Sequence, residues 1–293
     1  VKRYIEKASI LIEALPYIQS FRDEIVVVKF GGSAMENRQC MESVLCDVTF
    51  MECVNMLPVV VHGGGKAITR RMKEAGVPPR FVKGLRVTCE KTIEIVRDVM
   101  NREINPELVA ILREKGARAE GVHGEDIFTV VRKTETGPSG ETLDWGYVGD
   151  PIGVDTGPIR ALLDRDVIPV VTPLGRGPDN LVYNINADLA AAMLAKALKA
   201  RKLVYLSDVP GLLRDPQDPS SVISTLKSGD VNALIKQGVI DGGMLPKVQS
   251  GVEALNAGVR KVHLVDGRMP HSLLLEIFTD KGVGTEIVRN EQD

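Results

Sequence analysis

The sequence predicts an α/β fold built on a mainly parallel sheet with helices on both faces. Three observations predict it. Short apolar runs, "VVVKF" (26–30), "PVVVH" (58–62), "IFTVV" (127–131), "VIPVV" (167–171), "LVYLS" (203–207) and "KVHLV" (261–265), read as strands. Segments of helical period lie between them, which suits a parallel sheet covered on both sides. Two of the runs end in consecutive glycines, "VVVKFGGS" (26–33) and "VVVHGGGK" (59–66), at the carboxyl ends where ligands gather in such sheets.

In chain order, Ile5, Ala8, Ile12 and Leu15 sit at helical spacing in "KRYIEKASILIEAL" (2–15), a helix that Pro16 is expected to end. Helices are expected over about 38–55, 66–75, 90–114, 187–199 and 244–257. Residues 137–158, rich in Gly, Pro and Asp but punctuated by aromatic and valine residues, read as a β-hairpin or lid rather than a linker. A soft boundary near 180 divides the chain into 1–20, 21–180 and 181–293 within one continuous fold.

Composition limits the function classes. The 293 residues suffice for one large α/β domain or two smaller lobes, and the formal charge of −2 is mixed along the chain. No basic arm or stripe points to nucleic acid as the main partner. No apolar run of 18 residues and no cleavable signal is visible, so no membrane partner and a cytoplasmic location are expected. Cys40, Cys46, Cys53 and Cys89 are unevenly spaced, with three on one expected helix. They suit buried or idle thiols in a reducing compartment better than a disulfide framework or a zinc site. His62, His123, His263 and His271 share no metal-ligand spacing, and no protein metal site is expected.

The two glycine clusters carry the first functional signal. A strand ending in Gly-Gly lets the backbone approach a bulky anion, and the next helix N-terminus adds N–H donors. The second lacks the Ser or Thr that follows the lysine of a Walker loop, and neither has G-x-G-x-x-G spacing. Either alone could be turn chemistry; two at adjacent strand ends could hold a phosphoryl group between them. Lys29 interrupts a buried strand, as a phosphate counter-charge or as a lysine emerging into water. In "NINAD" (184–188), Asn184, Asn186 and Asp188 exceed what a helix cap requires. An Asp there could orient cations and an Asn could bind a carboxylate. "DGGMLPK" (241–247) adds a third Gly-Gly and Lys247, and Arg86 in "GLRVT" suits a bidentate grip on a carboxylate or a surface salt bridge. "YLSDVPGLL" (205–213) is a strand, an Asp and a glycine turn that could contact a nucleoside. Anion loops, lysines, an orienting Asp and no evident general base suit phosphoryl transfer to an acceptor that is already anionic.

"VVVKFGGSAM", "VVVHGGGKAI", "GLRVT", "GYVG", "YNINAD", "GGMLPK" and "GTEI" follow the order and approximate spacing of the amino acid kinase family, and the chain resembles that family from about residue 10 to 288. The resemblance implies a three-layer αβα sandwich with an open, mainly parallel sheet. It implies ATP-dependent phosphorylation of the side-chain carboxylate of N-acetyl-L-glutamate, a step of arginine biosynthesis, with Mg2+ carried on ATP. By position, Lys29 and Lys247 would neutralise charge on the phosphoryl and leaving oxygens, and Asp188 would hold both lysines. Gly32 and Gly64 would bind the γ-phosphoryl through their N–H groups, with Gly31, Gly63 and Gly65 shaping the loops. Arg86, Asn184 and Asn186 would face the acceptor beneath a 144–156 lid. Ser207, Asp208, Gly211, Leu212 and Met244 would lie along the nucleotide.

The N-terminal helix further implies the arginine-inhibited type of member, in which such extensions interlace three dimers into a homohexamer. Arginine would contact Tyr17, Lys202, His271, Glu276 and the Gly282–Gly284 turn, and a PII signalling protein could dock on the ring. Three positions depart from the family pattern: Lys66 stands where proline is usual, Asn101 replaces a glycine, and "GVHGED" (121–126) replaces a small-residue turn. The alternatives are an aspartate, carbamate or nucleoside-monophosphate kinase, a non-catalytic arginine sensor, or a nicotinamide-binding oxidoreductase. The missing G-x-G-x-x-G speaks against the last, and intact Lys29, Asp188 and Lys247 against the sensor.

Overall fold

The computed structural model describes residues 2–137, 139–279 and 282–290, with the side chains of Arg3 and Lys7 excepted. Pro138 of the expected lid and Asp280 and Lys281 of the expected effector segment lie outside the described residues, as do Val1 and 291–293. The elements are α1 (Lys2–Phe21), β1 (Ile25–Phe30), α2 (Arg38–Cys53), β2 (Leu57–His62), α3 (Gly65–Glu74), β3 (Phe81–Val82), β4 (Leu85–Arg86), α4 (Glu90–Asp98) and α5 (Asn105–Glu114). There follow β5 (Ala119–Val122), β6 (Phe128–Thr136), β7 (Thr142–Val154), α6 (Gly157–Leu163), β8 (Ile168–Val171), β9 (Leu174–Arg176), β10 (Val182–Asn184) and α7 (Ala187–Leu198). The chain ends with β11 (Lys202–Ser207), β12 (Thr225–Lys227), α8 (Val231–Lys236), α9 (Met244–Asn256), β13 (Lys261–Asp266), α10 (Ser272–Ile277) and β14 (Thr285–Val288).

Eight strands form one sheet in the order β12-β14-β13-β11-β1-β2-β8-β5. Every pairing in it is parallel except β13 with β14. Side chains alternate across a strand, so Val26, Val28 and Phe30 pack with α2, α4, α5 and α10 on one face. Val27 packs with α6, α7 and α9 on the other. Lys29 shares the parity of Val27 and is therefore delivered to the α7 face. The three layers match the fold the sequence implies. Among the described residues no helix is long and apolar enough to cross a membrane.

The structure corrects several expectations. Pro16 does not end α1, which continues to Phe21. Proline removes one backbone donor, but Ile12 and Leu15 on the preceding turn are exposed, so the carbonyl left behind can meet water. The last turn is also docked, with Tyr17 edge-on to Phe278 and the Arg201 and Lys202 cations over the buried Phe21 ring. The expected apolar stripe of α1 is bare within this chain, Ile5 being 59% and Ile12 67% exposed. Residues 137–158 are not a hairpin on their own: β7 is the second arm, β6 the first, and the glycine-rich segment is the turn. With β9 and β10 these arms close into a small barrel. The cysteines are free, with Cys46, Cys53 and Cys89 exposed rather than buried, because the outer face of α2 and the start of α4 point away from the core. The 90–114 helix holds together but widens into a π turn over Val99–Ile104.

Candidate active site

β1 and β2 pair in register so that Phe30 lies opposite His62. The glycine runs that follow therefore emerge side by side. The Gly63 N–H donates to the Phe30 carbonyl at 2.7 Å, and a Cβ on Gly63 would stand 3.6 Å from the Gly31 Cα. Gly31 itself lies under Lys29, whose Nζ would be 2.7 Å from an added Cβ. Gly32 has φ +76°, a left-handed conformation that glycine adopts without strain. The two loops form the floor of a cleft of about 240 Å³ lined by Lys29, Gly64, Arg86, Asn184 and Asp188 among others.

Asp188, on the first turn of α7, is buried between two lysines. Its Oδ2 accepts from Lys247 Nζ at 2.6 Å, and Oδ1 lies 3.1 Å from Lys29 Nζ in an ion pair. Burial pushes the carboxyl pKa up, and the two ammonium groups outweigh that, holding it below the usual carboxylate value. Lys29 arrives from β1 and Lys247 from α9, so the three charges of the cluster come from three segments.

Arg86 closes the far wall. Its guanidinium donates to the Gly65 carbonyl at 2.7 Å and Thr69 Oγ1 at 2.8 Å, and lies over the Phe81 ring. It is 7% exposed and has no carboxylate partner among the described residues. Burial lowers its pKa. A buried cation paired only with neutral acceptors favours an incoming anion on its open side.

Other candidates fall as follows. Asn184, on β10, and Asn186 both line the cleft, and Asn186 spends its side-chain oxygen capping α7, accepting from the N–H groups of Asp188 and Leu189. Asp208 accepts from Ser33 at the first glycine loop. Ser207 is buried at the end of β11. Gly211 packs on Thr285, and the Leu212 side chain is core, with its N–H donating to Thr285 Oγ1. Met244 packs against the core at the start of α9. Lys66 turns outward onto Glu36 at 2.9 Å, so it adds no free charge to the clamp. The two remaining departures from the family pattern meet: Asn101 Nδ2 donates to the buried Glu125 Oε1 at 2.8 Å. Among the described residues no three His, Cys, Asp or Glu converge as a metal site would require.

The expected effector residues gather around α10. Glu276 accepts from the N–H groups of Val283 and Gly284 and from His263 Nδ1 at 2.6 Å. A Cβ on Gly282 would stand 2.6 Å from Glu276 Oε2, and one on Gly284 would meet the Leu264 carbonyl. Lys202 is buried beside this group, and its desolvation brings its pKa down to about 8. His271 turns its ring onto Asp47 of α2 at 2.6 Å. His263, Ser33, Asn105 and Phe81 were not foreseen as parts of these sites. Only "Asn-Pro" at 105–106 inside a helical pattern, and a histidine in the middle of a strand, hinted at them.

A parallel sheet with paired glycine loops and a lysine–aspartate–lysine cluster defines a phosphoryl-transfer scaffold. Residues 24–266 match the amino acid kinase family, and the chain belongs to it. Within that family it groups with acetylglutamate kinases. The one from Akkermansia muciniphila is 47% identical over 100% of this chain and 99% of its own length. That of Heliobacterium modesticaldum is 50% identical over 97% and 99%. Among solved structures, N-acetylglutamate synthase from Neisseria gonorrhoeae complexed with coenzyme A and N-acetyl-glutamate superimposes with a TM-score of 0.84 at 27% identity. The match covers 97% of this chain and 63% of that one. The same synthase complexed with coenzyme A and L-arginine matches with a TM-score of 0.78 at 26% identity, over 94% and 64%.

Proposed function

We propose that this chain transfers the γ-phosphoryl of ATP to the side-chain carboxylate of N-acetyl-L-glutamate. The observation that carries the acceptor is Arg86, a buried guanidinium without a carboxylate partner among the described residues, on the wall of the cleft that also holds Lys29, Asp188 and the glycine loops. Arg86 and Asn184 hold the acceptor's α-carboxylate, which aims its side-chain carboxylate at the clamp. That nucleophile is ionised at neutral pH and needs no general base. The N–H groups of Gly32 and Gly64 and the ammonium groups of Lys29 and Lys247 meet charge on the transferring phosphoryl. Asp188 keeps both lysines in place and offsets their mutual repulsion. Mg2+, carried by the nucleotide phosphates, supplies further neutralisation. The nucleotide lies along the 206–212 segment and Met244.

In this reading 21–180 takes the acceptor and 181–293 the nucleotide, in the cytoplasm. Residues 1–20 present their bare apolar stripe to neighbouring subunits of a hexamer. L-Arginine inhibits by binding around Lys202, Glu276 and the Gly282–Gly284 turn. An arginine complex of the similar synthase from Neisseria gonorrhoeae supports that part. The test is incubation with Mg-ATP and hydroxylamine, which traps acyl phosphate as a coloured hydroxamate. N-Acetyl-glutamate should give signal well above glutamate, aspartate and carbamate, and millimolar arginine should suppress it. No signal with N-acetyl-glutamate refutes the reaction; signal indifferent to arginine removes only the regulation.

A further inference from the structure

His62 is fully buried at the end of β2, beside the clamp yet outside its charges. Nδ1 lies 2.9 Å from the carbonyl oxygen of Gly63, and Nε2 lies 3.2 Å from Nδ2 of Asn105. Asn105 Nδ2 also donates to the Val170 carbonyl at 2.8 Å. That second bond fixes the amide, because the flipped amide would set two oxygens against each other. Nε2 of His62 must then accept, its proton sits on Nδ1, and Nδ1–H donates to Gly63. The relay runs from Asn105 through His62 to Gly63 and admits only a neutral ring. Consistently, burial takes the ring's pKa down to about 4.

Two features of the chain make room for this relay. A Cβ on Gly121 would stand 2.1 Å from Asn105 Oδ1, so only glycine fits at that point of β5. The π turn before Asn105 sends its N–H to the Met100 carbonyl, five residues back. Pro106 has no N–H for the ordinary ladder, which lowers the cost of widening the turn there. The same turn sets Met100 and Ile104 against Gly64.

A trans peptide points its C=O and N–H in opposite directions. The Gly63 carbonyl and the Gly64 N–H share one peptide plane, so holding the carbonyl on His62 turns the N–H away from the ring. That N–H has no acceptor among the described residues, and Gly64 lines the cleft. Between two glycines such a plane would otherwise rotate at little cost. The rotated form would turn a carbonyl oxygen toward the phosphoryl group.

We propose that His62 and Asn105 are positioning residues for phosphoryl transfer, locking the Gly63–Gly64 peptide in the orientation that presents an N–H to the phosphoryl group. The proposal rests on the kinase reading above. His62→Asn puts an amide donor where Nδ1 stood and keeps the bond to Gly63. His62→Gln reaches only as far as Nε2 and loses that bond. His62→Gln should lower kcat about 100-fold, the scale of losing one preorganised donor, with the KM for N-acetyl-glutamate nearly unchanged. His62→Asn should retain most of kcat. Gly121→Ala, which displaces Asn105 from outside the clamp, should lower kcat in the same KM-sparing way. Equal losses in the Asn and Gln variants that track melting temperature, or wild-type kcat in His62→Gln, would overturn the proposal.

A readout independent of turnover is 15N NMR of histidine-labelled protein, with the His62 signals assigned by their loss in His62→Asn. Nδ1 should be protonated and Nε2 bare, unchanged between about pH 5.5 and 8. The opposite tautomer, or titration in that range, in an active enzyme defeats the proposal alone. A wild-type protein that phosphorylates no acceptor defeats the kinase reading and the catalytic role of the relay together.

Discussion

Asp208 holds Ser33 twice, accepting from its backbone N–H and from its hydroxyl at 2.8 Å each across 175 residues of sequence. The bond ties the loop after β1 to the loop after β11, two strands that pair in parallel. Asp208→Ala takes the acceptor from the part-buried Ser33 donors, at about 1 kcal/mol, the net worth of an ordinary hydrogen bond. Melting temperature and kcat should both fall. Asp208→Asn keeps the acceptor oxygen and should recover most of the stability, which thermal unfolding of the two variants will compare.

Asp188 is the more sensitive position. Asp188→Asn keeps the shape and removes the charge that the buried Lys29 and the partly buried Lys247 share. Breaking such a buried arrangement costs roughly 3–5 kcal/mol, so the variant should be markedly destabilised and nearly inactive. Lys247→Ala, whose lysine is only partly buried, should fold and lose turnover far more than acceptor affinity. Steady-state kinetics with separate kcat and KM for each substrate decides; a pure KM effect contradicts its role.

Arg86→Lys should show the reverse pattern. Lysine keeps the charge but lacks the planar fork that meets a carboxylate with two bonds. The KM for N-acetyl-glutamate should rise about 100-fold, in line with losing roughly 2–3 kcal/mol of charge-assisted hydrogen bonding. The KM for ATP should hardly move.

The glycines differ in what they tolerate. At Gly32 a Cβ meets Asp208 Oδ1 at 2.4 Å and φ is +76°, so Gly32→Ala strains the backbone and breaks the Ser33 tie. At Gly65 a Cβ meets nothing within 4 Å among the described residues. Gly32→Ala should lose more than about 1 kcal/mol of stability and most activity, while Gly65→Ala keeps its fold. Equal melting temperatures would contradict the steric argument.

His62 sets a pH dependence of known sign. Its pKa falls from 6.5 to about 4 on folding, so between those values the unfolded chain binds the extra proton. Its contribution is full above pH 6.5 and is lost as pH drops toward 4, with a slope of about 1.4 kcal/mol per unit. Urea unfolding from pH 4 to 8 should show that slope in wild type, reduced in His62→Asn. Lys202 gives a dependence of the same sign in a more alkaline window. Its depressed value of about 8 means that its burial is costly at neutral pH, a cost relieved as pH rises from 8 toward 10.5.

The central strands β1, β2, β8 and β11 were legible because they are mostly apolar and buried on both faces, and Lys29 was legible because it violates that pattern. Asp188 was recognised as an orienting carboxylate by a polar excess at a helix start. What stayed hidden depends on contacts between distant segments. Pro16 looked like a stop because the docking of Tyr17 and Phe21 is not a local property. The first arm of the hairpin, Phe128–Thr136, resembled an ordinary core strand, since nothing in it announces that its partner lies beyond a glycine-rich turn. The His62–Asn105 contact arises only when a π turn brings a helix start beneath a neighbouring strand. No spacing along the chain encodes it.

The pairing of Phe30 with His62 gives the clamp a ruler. Neighbouring strands lie about 4.8 Å apart, so the gap between the glycine loops is a property of the backbone ladder rather than of any side chain. The wall proposed for the acceptor, by contrast, is made by Arg86 on a two-stranded ribbon and by the small barrel, both outside that ladder. Selectivity can therefore be rewritten in those peripheral parts while the grip on phosphate keeps its dimensions, which makes the scaffold a convenient host for redesign toward other carboxylic acids.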